Sequence, residues 1–167
     1  VRLFSSVALP EGEGPFPTVL IRNPYARFAT IMRETVCGRM VRYGYACVLQ
    51  DVRGQGESEG EWSPMVNEVR DGKDTINWLV KQSFQDGNIA MVGPSYLASV
   101  QYAVAASGLP KEVKTLVPAV YTADLSNILY SNGMLRHETF TAWASMMRDP
   151  KNEVDDAGGD YQKAIRH

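Results

Sequence analysis

Apolar residues in this chain fall into short blocks with two different periods. Pro17-Thr18-Val19-Leu20-Ile21, Tyr45 to Gln50, Ile89 to Val92 and Val113 to Val120 are compact runs bounded by Asn, Asp, Gly or Pro. The first two predict buried strands, and the other two predict further strands of the same sheet. Between them the spacing lengthens to that of helices. Ile31, Met32, Val36, Met40 and Val41 predict one helix over about 28–42, and a second spans about 66–81. In that second helix Val69, Gly72, Ile76, Leu79 and Val80 share a face, while Asp71, Lys73 and Asp74 lie mostly off it. A third helix follows Ser95 and ends at Gly108-Leu109-Pro110; Asp86-Gly87 predicts a turn before the third strand. Strands alternating with helices at these spacings predict right-handed βαβ units, so the fold class is α/β, a mostly parallel sheet covered by helices. Past Tyr121 the pattern changes. Leu125 to Met147 carries aromatics and methionines without strand-like alternation, and 149–160 is acidic. The division expected is a sheet-bearing part over 1–120 and a helical appendage over 121–167.

Composition narrows the function classes. A chain of 167 residues builds one domain with a real core. Its net charge of −2 leaves no electrostatic footprint for nucleic acid or an acidic membrane. No apolar run nears the roughly 18–20 residues that span a bilayer. The chain opens on Val1 with no basic-then-apolar leader, so the N-terminus reads as incomplete and the compartment stays open, the cytoplasm slightly favoured. Cys47 reads as a buried thiol in a strand, and a bridge to Cys37 in the neighbouring helix is disfavoured because strand and helix positions rarely meet disulfide geometry. No metal or cofactor is expected. His137 and His167 are the only histidines, and neither has a cysteine or histidine at ligand spacing.

The chemistry concentrates at Asn88-Ile89-Ala90-Met91-Val92-Gly93-Pro94-Ser95-Tyr96-Leu97-Ala98-Ser99. A strand rises to a glycine, turns at a serine and enters a small-residue helix, the pattern that lifts a hydroxyl out of a sheet edge for nucleophilic attack. Ser95 is the candidate nucleophile; the competing reading is a structural serine capping the following helix. As the helix begins just after Ser95, the Tyr96 N–H should face the oxygen of a tetrahedral intermediate. A second donor normally comes from the loop after an earlier strand; here that loop is Arg22-Asn23-Pro24-Tyr25, and Tyr25 offers its phenolic O–H.

Pro24-Tyr25, Asp51-Val52-Arg53-Gly54-Gln55-Gly56-Glu57-Ser58-Glu59-Gly60 and Gly93-Pro94-Ser95-Tyr96-Leu97 together resemble the cocaine esterase and X-prolyl dipeptidyl aminopeptidase family of α/β-hydrolases. The resemblance runs from about Pro17 to the Trp143 region, and the Asp-Val-Arg-Gly-Gln-Gly block is its most specific part. It implies an α/β-hydrolase sheet in which Ser95 attacks an ester or amide carbonyl, Tyr96 N–H and Tyr25 O–H form the oxyanion hole, and the substrate is a small ester, amide or peptide. It also implies that 121–167 begins a helical cap, and that the triad acid and histidine lie downstream of this chain. On that reading the chain is a truncated piece, nearly inert alone. Ala98 stands where the family usually has glycine, which should be small enough for close packing. Arg53 and Glu57 are read as ion-pair anchors within their loop rather than substrate contacts. A local triad of Ser95, Asp124 and His137 has the right chain order, but no strand carries His137 back to the elbow, and it is disfavoured. His167, at the chain end, is not placed. Phe140, Trp143, Met146 and Met147 are read as cap core ahead of an acyl pocket. Asp124 alone does not make the acidic cluster by which relatives hold a substrate amine. The leading function is a serine acyl hydrolase; the alternative is a non-catalytic α/β binding or assembly domain with an inert Ser95. The oligomeric state stays open.

Overall fold

Residues 19–21 and 46–49 are apolar on consecutive positions, so each strand must find cover on both faces of a sheet. The computed structural model, which describes residues 1–147, provides it. Five strands, β1 (Ser5–Ala8), β2 (Phe16–Asn23), β3 (Ala46–Asp51), β4 (Gln85–Pro94) and β5 (Val113–Ala119), form one sheet in the order β1-β3-β2-β4-β5. The pairs β2–β3, β2–β4 and β4–β5 are parallel, as the βαβ spacing predicts, and β1 alone runs antiparallel, against β3. Alternate strand residues feed two cores. Val19, Ile21, Cys47 and Leu49 face the helical run after β2, whereas Leu20, Val48, Ile89 and Met91 face Ile76 and Leu79.

That run after β2 is one winding rod: a 3₁₀ turn (Ala26–Phe28), α1 (Ala29–Met32), a π turn (Arg33–Cys37) and α2 (Gly38–Arg42). Then come α3 (Glu68–Leu79) after the glycine-rich loop, α4 (Tyr96–Ala106) after the elbow, α5 (Ser126–Leu129) and α6 (His137–Met147). The helices α3 and α4 cross at Gly72, where a Cβ would drive into the Val104 side chain and press on the Arg22 guanidinium. Glycine is what lets these two helices close over the end of β2.

Several expectations need correction. The buried face of α3 is Glu68, Asp71, Gly72, Thr75, Ile76 and Leu79, with Val69 exposed, so Asp71 lies on the face it was expected to avoid. The reason is charge pairing: Arg53 reaches Asp71 with two hydrogen bonds of 2.8 and 2.6 Å. Arg53 thus anchors its loop to a neighbouring helix, not internally, while Glu57 contributes a backbone N–H to Asp51 at 3.2 Å. Asp86-Gly87 lies inside β4, which begins at Gln85 because that residue still pairs with Phe16. The turn expected there survives as a kink, Gly87 at φ +93° held by its N–H to Gln85 Oε1 at 2.7 Å. Cys37 and Cys47 are joined by a disulfide. The π turn lies directly on β3, bringing the two Cα atoms to 5.2 Å, inside the bridging range. Finally, the segment read as wholly helical contains a small hairpin, β6 (Tyr130–Ser131) and β7 (Met134–Leu135), joined by Asn132-Gly133 with both residues at positive φ. An Asn-Gly pair is the strongest two-residue hairpin signal in a sequence.

Candidate active site

The elbow works because its backbone is forced. Ser95 sits at φ 56°, ψ −128°, a conformation that a non-glycine residue adopts only when its surroundings dictate it. They do. The Ser95 N–H donates to Ala119 O at 2.9 Å, tying the turn to β5, while its carbonyl accepts from Ala98 N–H at 2.8 Å and starts α4. Gly93 at φ +144° completes the turn; a Cβ there would collide with Leu97. Ala98, fully buried, fits where glycine was the family expectation.

Ser95 makes no side-chain cap on α4. Its Oγ lies instead 3.1 Å from the Tyr25 hydroxyl, across 70 residues of sequence. Tyr25 is aimed by Asn23, whose Oδ1 accepts the Tyr25 N–H at 3.0 Å and whose Nδ2 donates to the Tyr25 carbonyl at 3.1 Å. Both residues leave the C-terminal edge of parallel strands, where ligands bind in open α/β sheets. Tyr96 opens α4, so its N–H belongs to the first turn, whose donors have no carbonyl partner within the helix. The structure thus brings Tyr25 to Ser95, and Tyr96 follows Ser95 at the start of α4.

Above them is a cavity of about 470 Å³. The elbow supplies Ser95 and Tyr96, the α5 region supplies Leu125, Ile128 and Leu129, and α6 supplies Phe140 and Trp143. Trp143 stacks on Tyr96, ring centroids 6.2 Å apart at 16°. The expected cap residues thus divide. Phe140 and Trp143 line the cavity, Met147 is buried in the same core cluster as Val19 and Tyr25, and Trp143 and Met146 both pack against that cluster. Among the described residues four non-glycines have positive φ; Met65, Ser95 and Val120 all line this cavity, and Asn132 is in the hairpin. Backbone strain gathered at one concavity is characteristic of functional sites.

Asp124 and His137 are not part of the lining. The Asp124 carboxylate accepts from Ser126 N–H, Ser126 Oγ and Asn127 Nδ2 at 2.9, 2.6 and 2.8 Å, bonds that hold its pKa below the usual range. His137 is exposed at the start of α6, and His167 lies outside the described residues.

A polar network behind the elbow was not foreseen. The Tyr96 hydroxyl donates to Glu68 Oε1 at 3.0 Å and accepts from the Met65 N–H at 2.8 Å. Glu68 Oε2 lies 3.0 Å from Arg22 Nη1, both side chains buried, and Arg22 Nε donates to Gln50 Oε1 at 3.0 Å. Burial, then the Glu68 charge, pushes the Tyr96 phenol far above its ordinary pKa, so it stays a proton donor. In the sequence Glu68 looks like an ordinary acid at a helix start. Arg22 between Ile21 and Asn23 was the available signal, an arginine in a strand that must be buried.

The family model for X-Pro dipeptidyl-peptidase (S15 family) matches residues 1–167. The chain is 38% identical over 152 residues to a cocaine esterase from Rhodococcus sp. (strain MB1 Bresler), covering 88% of this chain and 26% of that protein. Among solved structures, an aminopeptidase from a marine sediment Thaumarchaeota archaeon superposes with TM-score 0.76 at 25% identity, over 98% of this chain and 33% of its own. An α-amino acid ester hydrolase gives TM-score 0.70 at 27% identity, over 89% and 28%. The chain therefore spans between a quarter and a third of the length of these relatives.

Proposed function

The chain belongs to the X-Pro dipeptidyl-peptidase S15 family, and on that premise we propose that it carries the nucleophile and oxyanion hole of a serine acyl hydrolase. One observation carries the reading: Ser95 Oγ, held at a strained elbow, lies 3.1 Å from the Tyr25 hydroxyl on the floor of an apolar cavity. In the proposed reaction Ser95 Oγ adds to the substrate carbonyl carbon while its proton passes to a base. The carbonyl π electrons move onto oxygen, and that oxyanion accepts hydrogen bonds from Tyr96 N–H and Tyr25 O–H. Collapse expels the protonated alcohol or amine and leaves an acyl-Ser95, which water then hydrolyses. Among the described residues no histidine lines the cavity. The base and its acid are assigned to residues outside the described ones, with 121–167 as the start of the helical cap.

The cavity wall includes Leu125, Ile128, Leu129, Phe140 and Trp143, with the hydroxyl-bearing Thr122 and Thr139 beside them. Apolar and aromatic groups of this kind favour a neutral, apolar acyl group, and the ester reading therefore stands ahead of a dipeptide whose ammonium needs a carboxylate. The cocaine esterase likeness supports the same choice. The full-length protein should hydrolyse p-nitrophenyl esters and be labelled by a fluorophosphonate. Ser95→Ala should abolish labelling and lower kcat by roughly 10⁴-fold or more. Labelling elsewhere, or activity that survives Ser95→Ala, would favour the alternative, a non-catalytic domain with an inert elbow.

A further inference from the structure

The oxyanion donors Tyr25 and Tyr96 come from different strand ends, and their separation must hold to a fraction of an ångström for both to reach one oxygen. Resting on the hydrolase reading, we propose that Glu68, clamped by Arg22, is a positioning residue that sets the Tyr96 N–H against the Tyr25 hydroxyl by gripping the far end of the Tyr96 side chain.

The connections form a closed path. Arg22 belongs to β2, the strand that delivers Tyr25 three residues later. Its Nη1 donates to the Glu68 carbonyl at 3.1 Å and lies 3.0 Å from that residue's carboxylate. Glu68 accepts the Tyr96 hydroxyl, Tyr96 opens α4, and Ser95, one residue before it, returns to Tyr25 at 3.1 Å. Each side chain has little room to move: Arg22, Glu68 and Tyr96 are 1%, 3% and 2% exposed. Gln50 fixes the guanidinium from β3, itself held by Thr75 Oγ1 at 2.8 Å. The same phenol accepts the Met65 N–H, so the clamp also pins a residue that lines the cavity.

A fold needing only apolar cover behind the elbow would place a phenylalanine at 96 and an aliphatic residue at 68. Burying an ion pair is costly and often no better for stability than well-packed hydrophobes. What a directional network provides here is a fixed position for the backbone that carries the donor.

The test uses the full-length protein, an ester substrate, active-site titration with a fluorophosphonate, and phenylboronic acid as a tetrahedral mimic. Tyr96→Phe removes one oxygen atom that faces away from the chemistry. Misplacement of the N–H should lower kcat per titrated site roughly 10- to 100-fold, leave KM within about twofold, and weaken the boronate Ki in parallel with kcat. Glu68→Gln, which accepts the phenol hydrogen more weakly and loses its charge against Arg22, should move both constants the same way by a smaller factor. In either folded variant, an unchanged kcat per titrated site, or a fall only in the titratable fraction, overturns the proposal. Absence of Ser95-dependent hydrolysis in the unmodified protein would instead sink the hydrolase reading on which it rests.

Discussion

Two hydroxyls meeting at 3.1 Å set the resting state of the site, and the same phenol is the one proposed to meet the oxyanion. On that proposal Tyr25 would bind the ground state weakly and the transition state strongly, as charge develops on oxygen. In the full-length protein Tyr25→Phe should therefore cut kcat by about 10²–10³-fold with little change in KM, the magnitude known for losing one oxyanion donor. Unchanged kcat in steady-state kinetics would leave Tyr25 as a packing residue against Phe28, its edge-on neighbour at 6.1 Å. The turn at Ser95 was legible in the sequence because a strand, a glycine, a serine and a helix follow one another there, and the loop after β2 offered Tyr25, which the structure brings to 3.1 Å from Ser95 Oγ. Glu68 and Met65 were not legible, since their role depends on the tertiary approach of the α3 start to the elbow, which no local pattern encodes.

The helix α3 is more polar inside than its apolar spacing suggested, and the reason is the loop that it restrains. Burial works to raise the Asp71 pKa, but the paired bonds from Arg53 override it and hold the carboxyl below its usual value. A depressed folded pKa means that the pair stabilises the fold fully above the unfolded pKa of about 3.9, and that this contribution is lost as pH falls through the folded value. Asp71→Asn should thus destabilise the protein at pH 7 by about 1–3 kcal/mol in urea unfolding. It should also flatten the acid limb of stability below pH ~4, where the unmodified protein goes on losing this term. A variant with an unchanged acid limb would show that Arg53–Asp71 contributes nothing. Periodicity found this helix and its Ile76 and Leu79 anchors but not its charged face, because a hydrophobic pattern is silent about which carboxylates find a buried partner. The disulfide was hidden for a similar reason: the spacing of Cys37 and Cys47 does not tell how closely a helix rides on its strand.

At the scale of the molecule β2 and β3 were readable because doubly buried strands are written in unbroken apolar runs, whereas β5 is largely exposed and shows no such run. The first strand was not readable, since Ser5-Ser6-Val7-Ala8 has neither an apolar run nor clean alternation. It is visible only through its partner, with four residues in register against β3 from Ser5↔Gln50 to Ala8↔Cys47. That short, serine-bearing strand has a consequence for solubility. It takes up the hydrogen-bonding groups along one edge of Ala46-Cys47-Val48-Leu49, one of the most apolar stretches of the chain. An open, flat, hydrophobic edge is a template for pairing with another molecule. Deleting residues 1–9 should therefore shift the protein from its native assembly toward irregular aggregates in light scattering, at concentrations where the untruncated form stays clear. Equal scattering from both would mean that β1 does not guard this edge.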